Sequence, residues 1–324
     1  VNPFAYVRPA DAAEAIAHAA APNIRYIAGG TNILDLMKIA VESPALLVDI
    51  NALPLSSIEV EDEAIRLGAL ARMSDVAMHS VVRERLPLVA IALEQSASPQ
   101  LRNMATIGGN LLQRTRCPYF RDIATACNKR VPGSGCDAMQ GENRREAVLG
   151  TSEHCIATHP SDLAVALAAV GSTVHVAGPH GTRRIGFDDF YRVPGTTPHI
   201  ETALVHGEMI VAVSVPLLPF GARSTYVKVR DRAQYDFALA SAAVAVTVDG
   251  NSIREARVAL GGVGTIPWRS REAEDALSGA TPNREGFARA AEAALAGARA
   301  SGGNAFKMLL AKRTLVRALE MVCA

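Results

Sequence analysis

The chain has 324 residues, long for a single core, and this points to two or three domains. Hydrophobic residues make up 49% and charged residues 20%, and the formal net charge is +1 with both signs interspersed, which argues against a nucleic-acid or membrane-surface role carried by bulk charge. No run approaches the roughly 20 apolar residues of a membrane span. The opening VNPFAYVRPADAAEAIAHAA has no basic segment followed by an apolar one, so it reads as mature protein whose export would depend on a partner's signal.

In chain order, PADAAEAIAHAA predicts a helix, with Asp11 and Glu14 at capping-box spacing. IRYIA (24–28) predicts a strand, GGTN (29–32) a tight turn, ILDLMK a helical turn and ALLVDI (45–50) a second strand. AIRLGA (64–69) predicts another strand, followed by a helical region from Ser74 to about Ser96 that Pro87 divides in two. After a cysteine-bearing stretch, Ser161 is placed to cap a helix at DLAVALAAV, GPHGT closes a hairpin, and MIVAVSVP (209–216) ends the middle part. PLLPFGA reads as a linker. STYVKV, FALASAAVAVTV and IREARVALGGVG then predict strands, and SREAEDALSG, the alanine-rich 284–300 and NAFKMLLAKRTLVRALEMV predict helices. Strands followed by helices make the class α+β, with helices on one side of a sheet.

Two glycine pairs stand out, in AGGTNILDL (28–36) and ATIGGNLL (105–112). Consecutive backbone N–H groups in such a turn can converge on an anion, and glycine lets a phosphate approach the main chain. Thr31, Asn32, Thr106 and Asn110 would add donors. Neither turn is followed by GK[ST] and neither is GxGxxG, so neither a Walker loop nor a dehydrogenase dinucleotide fold is indicated. Each turn alone is also readable as a plain strand–turn–helix corner. The pair together suits the two ends of a pyrophosphate lying between domains.

Four of the five cysteines, Cys117, Cys127, Cys136 and Cys155, are spaced C-x9-C-x8-C-x18-C, and Cys323 stands apart as incidental. Disulfides require an oxidising compartment during folding, and zinc is usually held by close C-x2-4-C pairs, absent here. An iron–sulfur cluster needs four thiolates and tolerates wide spacing. Spacing alone leaves these alternatives open. About forty residues without a core of their own call for some added constraint. Arg114, Arg116, Arg121, Lys129 and Arg130 could offset the charge of a thiolate cluster or simply form a solvated face. His154 is the one histidine placed to compete as a ligand, while His159 belongs to the HPSD turn.

AGGTNILDLMK, LRNMATIGGNLLQ, HPSDLAVAL and YVKVRD with YDFALASAAVAV, in this order, resemble the FAD-binding subunit of the xanthine oxidase family of molybdenum hydroxylases. The resemblance runs from the first ten residues to the last helix. LLQRTRCPYF, CNKR and PGSGC resemble in particular the subclass of bacterial periplasmic aldehyde oxidoreductases, whose FAD subunit carries an inserted iron–sulfur segment. The FAD subunit of hydroxybenzoyl-CoA reductase is a more distant relative with a similar insertion.

The resemblance implies a two-part FAD-binding domain of the PCMH/VAO type, with subdomains 1–55 and 56–216, a cysteine-rich insertion at 113–158, and a C-terminal α+β domain at 221–324. It implies that Ala28, Gly29, Gly30, Thr31, Asn32, Ile33 and Leu34 line the pyrophosphate and ribityl region, and that Thr106, Gly109 and Asn110 form the second phosphate turn. Asp162 would contact the adenosine part. Lys228 would lie near the flavin ring, where a cation favours the reduced anionic flavin; without the resemblance it reads as a surface residue of an edge strand. Tyr235 stands where some relatives carry an acidic residue and would pack on or gate the flavin face. Cys117, Cys127, Cys136 and Cys155 would hold a [4Fe–4S] cluster.

The implied role is electron transfer in a molybdenum-containing aldehyde oxidoreductase. A large subunit with molybdopterin oxidises substrate, a small [2Fe–2S] subunit passes electrons on, and this chain delivers them through flavin to an external acceptor. No general acid or base need be named, because the flavin does the redox chemistry. The implied compartment is the periplasm, with the cytoplasm as the alternative. Competing readings are a stand-alone FAD oxidase with a zinc-binding or metal-free loop, a hydroxybenzoyl-CoA reductase-like FAD subunit, and an interaction subunit that has lost its cofactor.

Overall fold

The computed structural model describes residues 1–219 and 221–324, so Phe220, within the expected linker, lies outside the described residues. The described residues form three sheets. The first is parallel, with Leu46–Asp49 between Ala5–Val7 and Ile24–Ile27. Ala5–Val7 was not legible in the sequence because it is short and mostly exposed, and gives no alternation. The helix Ala12–Ala19 is capped by Asp11, which accepts from Glu14 N at 2.9 Å, while Glu14 accepts from Ala10 N at 2.6 Å.

The second sheet is antiparallel, in the order Ile58–Val60, Ala64–Gly68, Met209–Pro216, Thr173–Gly178 and Gly181–Gly186. Ile65, Leu67, Val174, Val176, Val213 and Val215 alternate along three of its strands and fill one core. The helical region after it has three pieces, Met73–Met78, Ser80–Arg85 and Pro87–Glu94. Pro87 begins the last piece as expected, since the first turn needs no donor there. The additional break falls at His79, whose extended backbone ends one helix and starts the next.

The third sheet, antiparallel, runs Trp268–Arg269, Ser252–Gly261, Ala240–Asp249 and Arg223–Val229. The helices Arg271–Leu277, Arg284–Ala294 and Phe306–Cys323 cover one face. The helices of this part lie on one side, as expected, and the helix Asp162–Val170 of the middle part covers the other face. Along Ala240–Asp249, Ala240, Ala242, Val244 and Val246 pack against the C-terminal helices, and Ala243 and Ala245 face the middle part. Small residues let two layers approach this strand. At Gly261 a Cβ would lie 2.5 Å from Val165 Cγ2. Every residue of Asp162–Val170 is buried, which is why its sequence is apolar all round.

One ion pair fastens this packing. Lys228 Nζ lies 2.8 Å from Asp162 Oδ2, with the side chains 1% and 6% exposed, and Tyr226 Oη donates to Asp162 Oδ1 at 2.6 Å. Lys228 also donates to Gln95 O at 3.1 Å. Lys228→Met leaves Asp162 buried without a counter-charge and is expected to lower the unfolding free energy by about 3–5 kcal/mol. A urea titration checks this; a loss of about 1 kcal/mol or less, the range of an exposed pair, refutes it.

Candidate functional site

The first glycine pair joins the strand Ile24–Ile27 to the helix Ile33–Lys38. The second pair differs from expectation. No strand precedes it; Gly108 and Gly109 lie inside the short helix Ile107–Leu111, which follows the helix Pro99–Met104. Thr106 caps that helix by accepting from Gly109 N at 3.2 Å.

In each pair the first glycine is fixed by packing against its neighbours. A Cβ on Gly29 would lie 1.9 Å from Met104 O, and one on Gly108 would lie 3.0 Å from Ala69 Cβ. Gly30 has φ +71°, in the left-handed region that favours glycine. At Gly109 a Cβ would meet only Thr106 Oγ1, at 2.9 Å. The two turns are tied by Arg72, which donates to Met104 O and, at 3.2 Å, to Asn51 Oδ1. Asn51 in turn donates to Ala28 O at 2.9 Å and to Asp49 Oδ1 at 2.6 Å. Burial opposes the charge of Asp49, yet hydrogen bonds from Tyr6, Asn51 and Arg8 hold its pKa down to about 2. No motif in the sequence marked Arg72, Asn51 or Asp49 as parts of the site.

Between the turns lies a cavity of about 280 Å³ whose lining includes Ala28, Gly29, Gly30, Thr31, Asn32, Ile33, Thr106 and Gly109, together with Arg114. Asn32 accepts from Arg114 N at 3.0 Å, and its Nδ2 is buried without a partner. An unsatisfied donor beside main-chain turns shaped by glycine fits a phosphate or hydroxyl-bearing cofactor. The remaining candidates lie elsewhere. Leu34 points outward, 41% exposed. The Asn110 side chain is engaged with Ser161 Oγ at 2.5 Å and Met73 Sδ at 3.3 Å, so it ties the turn to the cap of the helix Asp162–Val170. The side chains of Lys228, expected near the flavin ring, and Asp162, expected at the adenosine part, are paired with each other. Tyr235, at φ +55° and 54% exposed, sits on the surface beneath Arg232.

A second cavity, about 360 Å³, shares Leu112 and Arg114 with the first and reaches His159, Tyr191, Ile200 and Glu201. A chain of charges crosses the boundary: Arg25–Glu42 at 3.0 Å, Glu42–Arg114 at 2.8 Å, Arg114–Glu201, and Glu201–Lys129 at 2.7 Å. Burial would raise Glu201, but Lys129 and Arg114 hold its pKa below the ordinary value. A third, smaller cavity of about 90 Å³ is lined by Cys117, His159, Asp162 and Phe237 among others.

Cys117, Cys127, Cys136 and Cys155 come together in one small core with Leu36, Phe120, Ala138 and Ile156. Cys127 and Cys136 face each other across an isolated antiparallel bridge, and Gly133 and Gly135, both at positive φ, turn the chain between them. Ala157 N donates to Cys155 Sγ at 3.4 Å, and the main chain at Ala138, Ile156 and Met139 near Cys136, and at Phe120 and Tyr119 near Cys117, favours the thiolate form. Burial, with the carboxylate of Glu146 nearby, pushes the Cys117 thiol far up; burial raises Cys136 and takes Cys155 to about 11. Such thiols become thiolates only against a compensating positive charge. Among the described residues no group of three or more His, Cys, Asp or Glu side chains is arranged to hold a metal ion. His154 is exposed.

Lys129 lowers the Cys155 thiol through its charge, but the basic residues are also bound by other partners. Arg116 and Arg121 bind Asp35 at 3.2 and 2.8 Å, Arg130 donates to the carbonyls of Tyr119, Phe120 and Thr125, and Lys129 and Arg114 bind Glu201. Carboxylates and carbonyls supplied by the surrounding fold, invisible as partners in the linear sequence, take up these charges. Glu146 and Lys307, both buried, were also not anticipated: Lys307 Nζ donates to Arg145 O and Glu146 O at 2.8 and 2.9 Å, and burial lowers its pKa to about 7.

The unequal glycines give a test. Gly109→Val projects a side chain into the first cavity and is expected to weaken FAD binding tenfold or more with the fold kept. Gly29→Ala drives a methyl into Met104 O and is expected to lower thermal stability with or without cofactor. Flavin titration and melting curves separate the two; unchanged flavin content in Gly109→Val refutes the placement.

Residues 2–218 match the family described as the FAD binding domain in molybdopterin dehydrogenase, and residues 225–322 match the CO dehydrogenase flavoprotein C-terminal domain. Over 319 residues, 98% of this chain and 97% of the relative, it is 50% identical to the aldehyde oxidoreductase FAD-binding subunit PaoB of Escherichia coli. It is 30% identical to the glyceraldehyde dehydrogenase medium chain of Sulfolobus acidocaldarius, over 85% of this chain and 81% of that one. Its fold is similar to a solved carbon monoxide dehydrogenase chain of Hydrogenophaga pseudoflava, with a TM-score of 0.78 and 28% identity, covering 99% of this chain and 98% of the other. With turns, cavity and both domain matches in agreement, this chain belongs to the FAD-binding subunits of the molybdenum hydroxylase family, as an oxidoreductase subunit.

Proposed function

We propose that this chain is the flavin and iron–sulfur electron relay of a molybdenum-containing aldehyde oxidoreductase. In this reading Ala28–Ile33, Thr106 and Gly109 hold FAD, with the phosphates at the glycine turns. Cys117, Cys127, Cys136 and Cys155 hold a [4Fe–4S] cluster. When bound, FAD supplies exchange of one or two electrons and the cluster exchange of one. The partners are a molybdenum-cofactor large subunit and a small [2Fe–2S] subunit, the acceptor is external, and the compartment is the periplasm. Half of the residues are identical to a relative named as an aldehyde oxidoreductase FAD-binding subunit, which supports the aldehyde class.

One observation carries the cluster. Leu36 belongs both to the core that gathers the four cysteines and to the lining of the glycine-turn cavity, so one side chain forms a shared wall. A single ion such as zinc would need three or more ligands converging on a point. A four-iron body instead takes one thiolate at each corner, and N–H donors to the sulfurs favour its charge. The chain's own contribution is to bring the thiols together, exclude water from them and keep Leu36 between them and the cavity. No helix among the described residues is long and apolar enough to cross a membrane.

The purified chain is expected to carry about four irons per FAD and broad iron–sulfur absorption beneath the flavin bands. Cys136→Ser is expected to lose the iron and keep FAD. Four irons retained in that variant refute the ligand set, and a wild-type flavin spectrum without iron favours the stand-alone FAD oxidase.

A further inference from the structure

We infer that His159 is a cofactor-binding residue whose Nε2–H donates a hydrogen bond to a carbonyl oxygen of the flavin. The inference rests on the reading that this chain carries FAD. Ser161 N donates to His159 Nδ1 at 3.3 Å, which assigns the ring proton to Nε2. Nε2 is buried and has no partner. Tyr191 meets the imidazole edge-on at 4.6 Å between centroids and is itself anchored by its hydroxyl to Leu111 O at 2.9 Å, so the ring is held on two sides. A buried N–H left unpaired costs free energy, and folded proteins seldom leave one without an acceptor. The missing acceptor is therefore the ligand's.

The position of the ring says which end of the ligand. His159 lines the cavity of about 360 Å³ that shares Leu112 and Arg114 with the glycine-turn cavity, so a molecule with phosphates at the turns can extend past Leu112 to reach it. His159 also lines the small cavity that contains Cys117. In an electron relay the end nearer the cysteines is the flavin, whose pyrimidine carbonyls are acceptors. The charged and titratable groups facing the ring are Glu201, Lys129 and Tyr191. Glu201 favours protonation, Lys129 opposes it, and burial, the largest influence, brings the pKa to about 3. The ring stays neutral over the working range, as a donor with its Nδ1 occupied must.

The test uses the full chain stripped of FAD and retitrated, as wild type, His159→Leu and His159→Gln, read by flavin fluorescence and visible absorption from about pH 6 to pH 8. His159→Leu is expected to weaken FAD roughly three- to tenfold, the worth of one neutral hydrogen bond, and to shift the flavin bands. His159→Gln, which keeps an N–H donor, is expected to restore both. The affinity for ADP, which lacks the flavin, is expected to stay unchanged, and the wild-type FAD affinity is expected to show no step with pH. A wild-type spectrum and affinity in His159→Leu overturn the inference. So does a glutamine variant no better than leucine, which makes the role packing against Tyr191, and so does a loss of ADP binding without a spectral shift, which moves the contact to adenine. A wild-type chain that takes up no FAD overturns the underlying reading instead.

Discussion

Two stretches of main chain meet where Gly29 lies against the carbonyl of Met104, closer than any side chain would permit. That contact brings the turn after the parallel sheet against the helix Pro99–Met104, and the glycine-turn cavity lies beside it. Arg72 binds the same carbonyl and reaches Asn51, which holds Ala28 and Asp49. The turns are thereby set by main-chain contact and by hydrogen bonds within the chain. Backbone amides fixed in this way bind phosphate with little reorganisation.

The C-terminal domain is fixed to this frame by a different device. The helix Asp162–Val170 is shared between two sheets, and the strand Ala240–Asp249 is built of residues small enough to be covered from both faces. The Asp162–Lys228 pair lies in that seam, where burial makes an unmatched charge costly.

Much of the fold was legible because it rests on local signals: Ser161 as a cap, Pro87 as a helix start, the Gly178–Gly181 hairpin and the three terminal helices. The glycine turns were legible as a pair, since few other needs place two of them in one chain. What escaped was decided by tertiary partners. Asn110 looks like a phosphate donor until Ser161 is beside it, Lys228 like a surface cation until Asp162 is, and the arginines of the cysteine segment like cluster partners until Asp35 and Glu201 are. His159 reads as a turn residue because only the fold shows that its second nitrogen has nothing to bind.

The cysteine segment is joined to its surroundings at three separate places: by Arg116 and Arg121 to Asp35, by Lys129 to Glu201, and by Asn143 and Lys307 to the start of the last helix. The entropy of closing this long loop is therefore offset by contacts within the chain. Held at these three points, the segment makes the helix Ile33–Lys38, the loop at Glu201 and the last helix share one small support, so three parts of the chain far apart in sequence are coupled through a stretch that has no regular core of its own.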